Sequence, residues 1–436
     1  MTLQSTATKL EPTAREASTM SALSFPEHGL APSAVFAEME IARRNDVDWR
    51  RGRVALYVHY AGDDVLAVAK EAYERFFSEN GLGLKAFPSL RKFEDEVVAW
   101  TADLLGAGSG ANGTITSGGT ESIFMALKTA RDWARARHPD VTEPEIVAPI
   151  SAHPAFDKAA HYLCMKVRRI PVRADFRADV AAMSAVIGPN TVALVGSAPC
   201  FPYGVIDDIP ALGALALNRA LWLHVDACVG GYLAPFVRRL GYPIPPFDFS
   251  VPGVRSMSAD LHKYGFTAKG ASVVLLAEQS LRPFLTFEFD NWPRGKYSVA
   301  TFTGSRPGGA LASAWAVMRY LGVDGYMRLA RSIMQTRDLM LEGIRAIDGL
   351  QLVGAPDLSV IAITAHGLDI FAVAEVLQNK GWFVSTTSAP PGIHLGMLTL
   401  AHVAHREEYL RDLAASVAEV RAGDLAARSR DVSYGG

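Results

Sequence analysis

The sequence predicts an α/β fold, with a mainly parallel sheet flanked by helices on both faces and a smaller α/β domain at the C-terminal end. Three observations carry this. Short apolar runs alternate with helical patterns between residues 114 and 276, the order that builds βαβ units. His153, Ser197, Asp226 and Lys263 stand at or just beyond the ends of such runs, where ligands gather in an open parallel sheet. After residue 350 the alternation resumes on a shorter scale, with apolar runs at 360–363 and 382–385 around a helical pattern at 370–380.

Taken in order, residues 1–24 are rich in Thr, Ser, Ala and Glu and read as a flexible arm. A helical segment spans 25–89. In it, 33–44 places Val35 and Met39 on one face, and Asp63 or Asp64 caps a helix with Leu66, Ala69, Tyr73 and Phe77 in a stripe. Loop 80–89 follows. The large domain is expected over 90–309, opening with a helix at 90–105 that presents Phe93, Val97, Trp100 and Leu104. Strands are expected at 145–149, 167–172, 191–197, 221–226, 254–258 and 272–276. Helices are expected at 120–137, 154–165, 179–187 (capped by Asp179) and 209–220. Residues 293–309 read as a Gly/Pro loop, and the small domain, 310–436, opens with a helix broken near Gly322. Trp100, Trp133 and Trp315 belong to core faces.

Composition narrows the function. With 43 Lys and Arg against 45 Asp and Glu, the net charge is −2, which gives no attraction to nucleic acid or an anionic membrane. No apolar run approaches the ~18 residues of a membrane span. The three cysteines, Cys164, Cys200 and Cys228, are widely spaced and odd in number; that fits a reducing compartment and offers no metal-ligand spacing.

The chemistry centres on Ser258-Ala259-Asp260-Leu261-His262-Lys263-Tyr264-Gly265. Lys263, after a β-like run and before a glycine, is placed to hold an aldehyde cofactor as an imine. Thr116-Ser117-Gly118-Gly119-Thr120-Glu121-Ser122 opens a helix, so its backbone N–H groups make a phosphate seat at Gly118, Gly119 and Thr120. His153, in Ser151-Ala152-His153, brings an imidazole to a strand end where it can stack on a flat ring. Asp226, in His224-Val225-Asp226-Ala227, brings an acid suited to a ring nitrogen. The order phosphate seat, histidine, acid, His-Lys is far more specific than any one member.

On these motifs, with Phe201-Pro202-Tyr203-Gly204-Val205-Ile206-Asp207, Asp226-Ala227-Cys228, Lys269-Gly270 and Gly304-Ser305-Arg306-Pro307-Gly308-Gly309, the chain resembles the sphingosine-1-phosphate lyases over 52–406. These are fold-type I pyridoxal phosphate enzymes related to the group II amino-acid decarboxylases. The resemblance implies an aspartate aminotransferase-like large domain with a seven-stranded-type sheet and pyridoxal 5'-phosphate on Lys263. His262 then meets the cofactor phosphate, and Ser305 reaches it from the partner subunit of a homodimer with shared sites. The implied substrate is a phosphorylated long-chain amino alcohol, cleaved between C2 and C3 to a fatty aldehyde and phosphoethanolamine. The alternative is decarboxylation of an amino acid. Without the membrane anchor of eukaryotic members, a cytoplasmic, bacterial form is expected.

For the substrate phosphate the family uses a lysine six positions after the cofactor lysine, matched by Lys269, and an early tyrosine, matched by Tyr60 or, with a register shift, Tyr57. It also uses a histidine in an Asn-Pro-Leu-His-Pro-Asp motif. Here that stretch reads Asn80-Gly81-Leu82-Gly83-Leu84-Lys85; either Lys85 supplies the missing charge or the substrate head differs. For the base that takes the 3-hydroxyl proton, Lys263, Tyr60 and the substrate phosphate all stay open.

Overall fold

The computed structural model describes residues 24–434; the arm expected over 1–24 lies, but for its last residue, outside them. The chain divides into two units at Val47/Asp48. In the first, Pro32–Ala42 is a helix with proline in its first turn and no buried residue, so the expected Val35/Met39 face covers nothing within that helix's surroundings.

In the second unit a seven-stranded sheet has the order β1-β7-β6-β5-β4-β2-β3, with β1 Asn112–Thr116, β2 Glu145–Pro149, β3 Lys166–Ile170, β4 Thr191–Ser197, β5 Trp222–Asp226, β6 Val254–Ala259 and β7 Ser272–Leu276. Strands β3, β2, β4, β5 and β6 run parallel. Only β7 is reversed, pairing antiparallel with both β6 and β1. The central strands β4, β5 and β7 are buried at every position, as expected of a sheet covered on both faces. Helix Gly119–Arg137 packs on one face with Ile123, Leu127, Ala130 and Trp133 buried. Helix Ile209–Asn218 covers the other, through Ile209, Leu212 and Ala216. Asp179 caps its helix as expected, accepting the Ala182 N–H at 2.9 Å.

A hairpin follows, β8 Phe287–Phe289 with β9 Tyr297–Val299, so part of the stretch read as a loop is strand. Helix Gly308–Arg345 then crosses the molecule, breaking at Gly322 where φ is 52°. Its glycine start is a close approach. A Cβ on Gly308 would lie 2.6 Å from the Glu79 carbonyl, and one on Gly309 2.7 Å from that of Tyr73. A second sheet, order β10-β11-β13-β12, comprises β10 Leu350–Leu352, β11 Ile361–Ala365, β12 Ser385–Ser388 and β13 Pro391–Leu395. It is antiparallel throughout and is backed by helices Ile370–Asn379 and Arg406–Gly423.

One expectation fails here: helix Asp63–Arg75 buries Val65 and Ala69, while Phe77 lies beyond its end and is exposed. Helix Arg406–Gly423 has no strong apolar stripe in its sequence to predict it. Among the described residues no helix is long and apolar enough to cross a membrane, and no cluster suited to a metal ion occurs.

Candidate active site

The turns that follow β1, β2, β4, β5 and β6 meet around a cavity of about 410 Å³. Lys263 stands in the turn after β6, its Nζ 2.7 Å from Asp260 Oδ2. Burial alone would lower the Lys263 pKa, but the Asp260 charge and hydrogen bond outweigh it, with Cys228 and Asp226 adding, and the ammonium is held above its ordinary value. Asp260 is itself buried. Desolvation opposes its charge, yet Lys263 and His262 keep its carboxyl below the usual range. The turn is anchored to the second sheet's side by Tyr264, whose hydroxyl meets Ser359 and donates to the Leu398 carbonyl at 2.9 Å.

His262 Nδ1 accepts the Ala271 N–H at 3.3 Å. Its pKa falls to about 4, chiefly through burial, with Lys269 and Lys263 adding and Asp260 opposing. Its Cε1 would be 3.3 Å from a Cβ placed on Gly118, so the imidazole lies against the helix entry. There helix Gly119–Arg137 has no capping side chain, and its first N–H groups, lacking intrahelical partners, open toward the cavity that Gly118, Gly119 and Thr120 line. A Cβ on Gly119 would come within 2.9 Å of the Asp260 carboxylate and Cys228 Sγ. Glu121 locks the entry: it accepts the Ser117 N–H at 2.7 Å and, on its other oxygen, the N–H groups of Phe302 and Thr303 at 2.8 and 3.2 Å.

Asp226 ends β5. Its Oδ1 accepts the Cys228 N–H at 3.0 Å and the Ser258 hydroxyl at 3.1 Å; Oδ2 has no such partner among the described residues. Behind it the buried His224 bridges Ser256 (2.8 Å) and Ser258 (3.2 Å), and burial holds its pKa at about 4. His153 follows β2, its Nδ1 accepting the Ala155 N–H at 3.1 Å. Burial lowers its pKa, Asp226 opposing. A neutral His153 therefore carries its proton on Nε2. Arg169 fixes this loop, donating to the Pro149 and Ala152 carbonyls at 2.8 Å each.

Two buried oxygens on the cavity wall, Ser197 Oγ and Asp260 Oδ1, have no hydrogen-bond partner among the described residues. With the free Asp226 Oδ2, the uncapped helix entry and the Lys263 amine, the donor set fits pyridoxal phosphate. An acid is present for a ring nitrogen, N–H groups for a phosphate and an amine for an aldehyde.

The substrate-side residues sort differently. Lys269 is an exposed residue outside the cavity lining, its ammonium 3.2 Å from His59 Nδ1 and 3.2 Å from the carbonyl of His262, which does line the cavity. Burial and the Lys263 cation draw its pKa down to about 8, Asp260 opposing. Tyr60 does not join it. Its ring lies 5.6 Å from Trp49, under the Arg50 guanidinium, and Tyr57 packs edge-on against Phe383. His59, one residue before Tyr60, is the side chain that meets the lysine instead. Burial, then Lys269, Lys263 and His262, hold His59 neutral. Lys85 is exposed and outside the cavity of its own chain. Ser305 is also outside it, accepting a hydrogen bond from Asn80 Nδ2 at 2.9 Å.

Sequence reasoning also missed the buried Arg306–Glu94 pair, joined at 2.6 and 2.9 Å. Glu94 further accepts the Ile115 N–H at 3.0 Å and the Thr114 hydroxyl at 2.8 Å. The arginine of the Gly-Ser-Arg-Pro-Gly-Gly stretch thus ties that loop to β1. A lone glutamate on a helix gives no sequence signal of such a pairing.

The conserved domain of pyridoxal-dependent decarboxylases matches residues 44–365. The sphingosine-1-phosphate lyase of Oryza sativa subsp. japonica is 43% identical over 91% of this chain and 74% of its own length. That of Rattus norvegicus is 39% identical over 91% and 70%. The solved sphingosine-1-phosphate lyase of Burkholderia pseudomallei superposes with a TM-score of 0.88 at 36% identity, covering 92% of this chain and 94% of that one. With this agreement across most of the chain, and with the sheet order and cavity described above, the chain belongs to the sphingosine-1-phosphate lyase family of fold-type I pyridoxal phosphate enzymes.

Proposed function

We propose that the chain is a pyridoxal phosphate-dependent carbon–carbon lyase that cleaves phosphorylated long-chain sphingoid bases at C2–C3 to a fatty aldehyde and phosphoethanolamine. The observation that carries it, beside family membership, is the pairing of the Lys263 cavity with a Lys269 ammonium held by His59 and by the carbonyl of the cavity residue His262. The first suits the cofactor and the second an anionic head group.

When bound, the cofactor draws electrons from the substrate carbon attached to the amine nitrogen. The chain's residues do the rest. Lys263 would hold the cofactor by its aldehyde carbon, and the ionised Asp260 favours the protonated form of the free lysine. Asp226 would take the ring nitrogen, and His153 would cover the ring. His262, Gly118, Gly119 and Thr120 would seat the phosphate. Lys269, with His59 accepting from it, takes the substrate phosphate and so fixes the C2–C3 bond relative to the ring. That alignment selects which bond breaks. The proton of the 3-hydroxyl leaves as the bond breaks, and a proton reaches the carbon left behind. Lys263 Nζ lines the cavity and is able to carry one.

We further infer a homodimer in which Ser305 of one copy completes the site of the other. Its position outside its own chain's cavity supports this, as does the exposed Phe302 beside it.

The test compares sphinganine 1-phosphate with sphinganine. The phosphorylated substrate alone is turned over efficiently, and Lys269→Met removes most of that preference without altering the visible absorbance of the bound cofactor. Equal turnover of both by the unaltered enzyme contradicts the head-group assignment.

A further inference from the structure

Beside the cofactor cavity lies a second one of about 380 Å³. The two share His153, Phe201 and Tyr434 as a common wall. Their chemistry differs. The first is lined by Asp226, Asp260 and Lys263; among the described residues no Asp, Glu, Lys or Arg lines the second. Its sides are Ile150, Phe201, Tyr203, Val432 and Tyr434, over a floor of hydroxyl-bearing residues from β12.

The partition is held in place. Phe201 is fixed by the bond between its carbonyl and His394 Nε2 at 2.8 Å. Tyr203 donates to the Ala389 carbonyl at 2.6 Å, joining the loop after β4 to the end of β12. Tyr434, at the C-terminal end of the described chain, sets its ring edge-on to His153 at 5.7 Å and tilted to Phe201 at 5.5 Å. A surface that lacks acidic and basic side chains, is largely apolar and shares three residues with the cofactor cavity suits the part of a substrate that carries no polar group.

We propose that this second cavity receives the hydrocarbon chain of the substrate, and that Tyr434 and Phe201 form the throat between the reacting centre and the chain-binding space. The proposal rests on the lyase reading for the identity of the long chain. At ~30 Å³ for each small unit, about a water's share of volume, the cavity holds on the order of a dozen methylenes. Chain-length preference is then set by residues of the small sheet and the C-terminal tail, away from the cofactor.

The experiment is a calorimetric titration of the cofactor-loaded enzyme with butyl, octyl and dodecyl phosphate. Affinity rises with chain length, by up to about fourfold for each methylene that enters the cavity, the equivalent of ~0.8 kcal/mol. Ser388→Trp fills the cavity from an exposed position at the end of β12. A chain ended after Asp431 removes the Val432 and Tyr434 wall. Each change costs dodecyl phosphate at least roughly tenfold more than it costs butyl phosphate, the summed effect of a few methylenes. Equal losses for all three ligands, or affinities that do not depend on chain length in the unaltered enzyme, overturn the proposal. Failure of the lyase reading looks different: sphinganine 1-phosphate then gives no aldehyde, while the chain-length dependence of alkyl phosphate binding persists.

Discussion

At the scale of single residues, the site works by crowding several nitrogen bases around one buried carboxylate. Asp260 keeps Lys263 charged, while burial, with the Lys263 charge adding, depresses its neighbours: His262 to about 4 and Lys269 to about 8. This has a consequence for pH. Lys269 is cationic below about 8 and neutral above, whereas an ordinary lysine keeps its charge to 10.5. The KM for a phosphorylated substrate therefore stays level through neutral pH and rises as pH climbs through about 8, and Lys269→Met abolishes that rise. A KM constant to the ordinary lysine range contradicts the assignment. Gly119 offers a second test. A methyl there meets the Asp260 carboxylate and Cys228 Sγ within 2.9 Å, and neither short side chain can swing far. Gly119→Ala should cost ~1–3 kcal/mol as overpacking and weaken cofactor retention, read from urea unfolding and from visible absorbance during dialysis. Lys263, Asp226 and His153 were legible because type and position coincide at strand ends. His59 was not: the tyrosine beside it matched the expected residue type, and residue type alone does not tell which of two neighbours meets the lysine.

At the scale of elements, the parallel strands were read to within a residue or two; β4 and β5 were plainest, being buried at every position and mostly apolar. Helix Gly119–Arg137 was equally plain from its spaced apolar positions. What stayed hidden lacks such a signature. The reversal of β7 leaves no mark on its composition. Strand β13 begins with Pro391 and Gly392 and pairs along a small sheet. Hairpin β8–β9 is exposed or half-buried along its length. The loop that carries Ser305 depends on one buried ion pair. Desolvation opposes the Glu94 charge, but Arg306, by hydrogen bond and charge, and the Ile115 and Thr114 donors hold its carboxyl below the usual range. A carboxylate depressed on folding contributes stability that is present above its unfolded pKa and is lost as pH falls through the folded one. Glu94→Gln leaves Arg306 buried without its counter-charge and should cost about 3–5 kcal/mol, with the midpoint of urea unfolding shifted down and its acid dependence reduced. An unchanged midpoint contradicts the structural role assigned to the pair.

At the scale of the whole molecule, one sheet supplies the cofactor cavity and a second sheet with the C-terminal tail supplies the neighbouring space, so chemistry and chain selection sit on different layers. Ser305 and Lys85 fall outside the cavity of their own chain, which a dimer with shared sites accounts for in the case of Ser305. Mixing the inactive Lys263→Ala enzyme with a Ser305→Trp enzyme through reversible unfolding should restore activity to hybrid dimers, each with one intact site. No restoration in mixed dimers isolated by dual affinity tags contradicts shared sites. The central claim is tested most directly by incubating cofactor-loaded enzyme with sphinganine 1-phosphate and following both products by mass spectrometry. The account predicts fatty aldehyde and phosphoethanolamine in equal amounts, absent with Lys263→Ala. Carbon dioxide release from amino acids, with no aldehyde from the phosphorylated base, would contradict it.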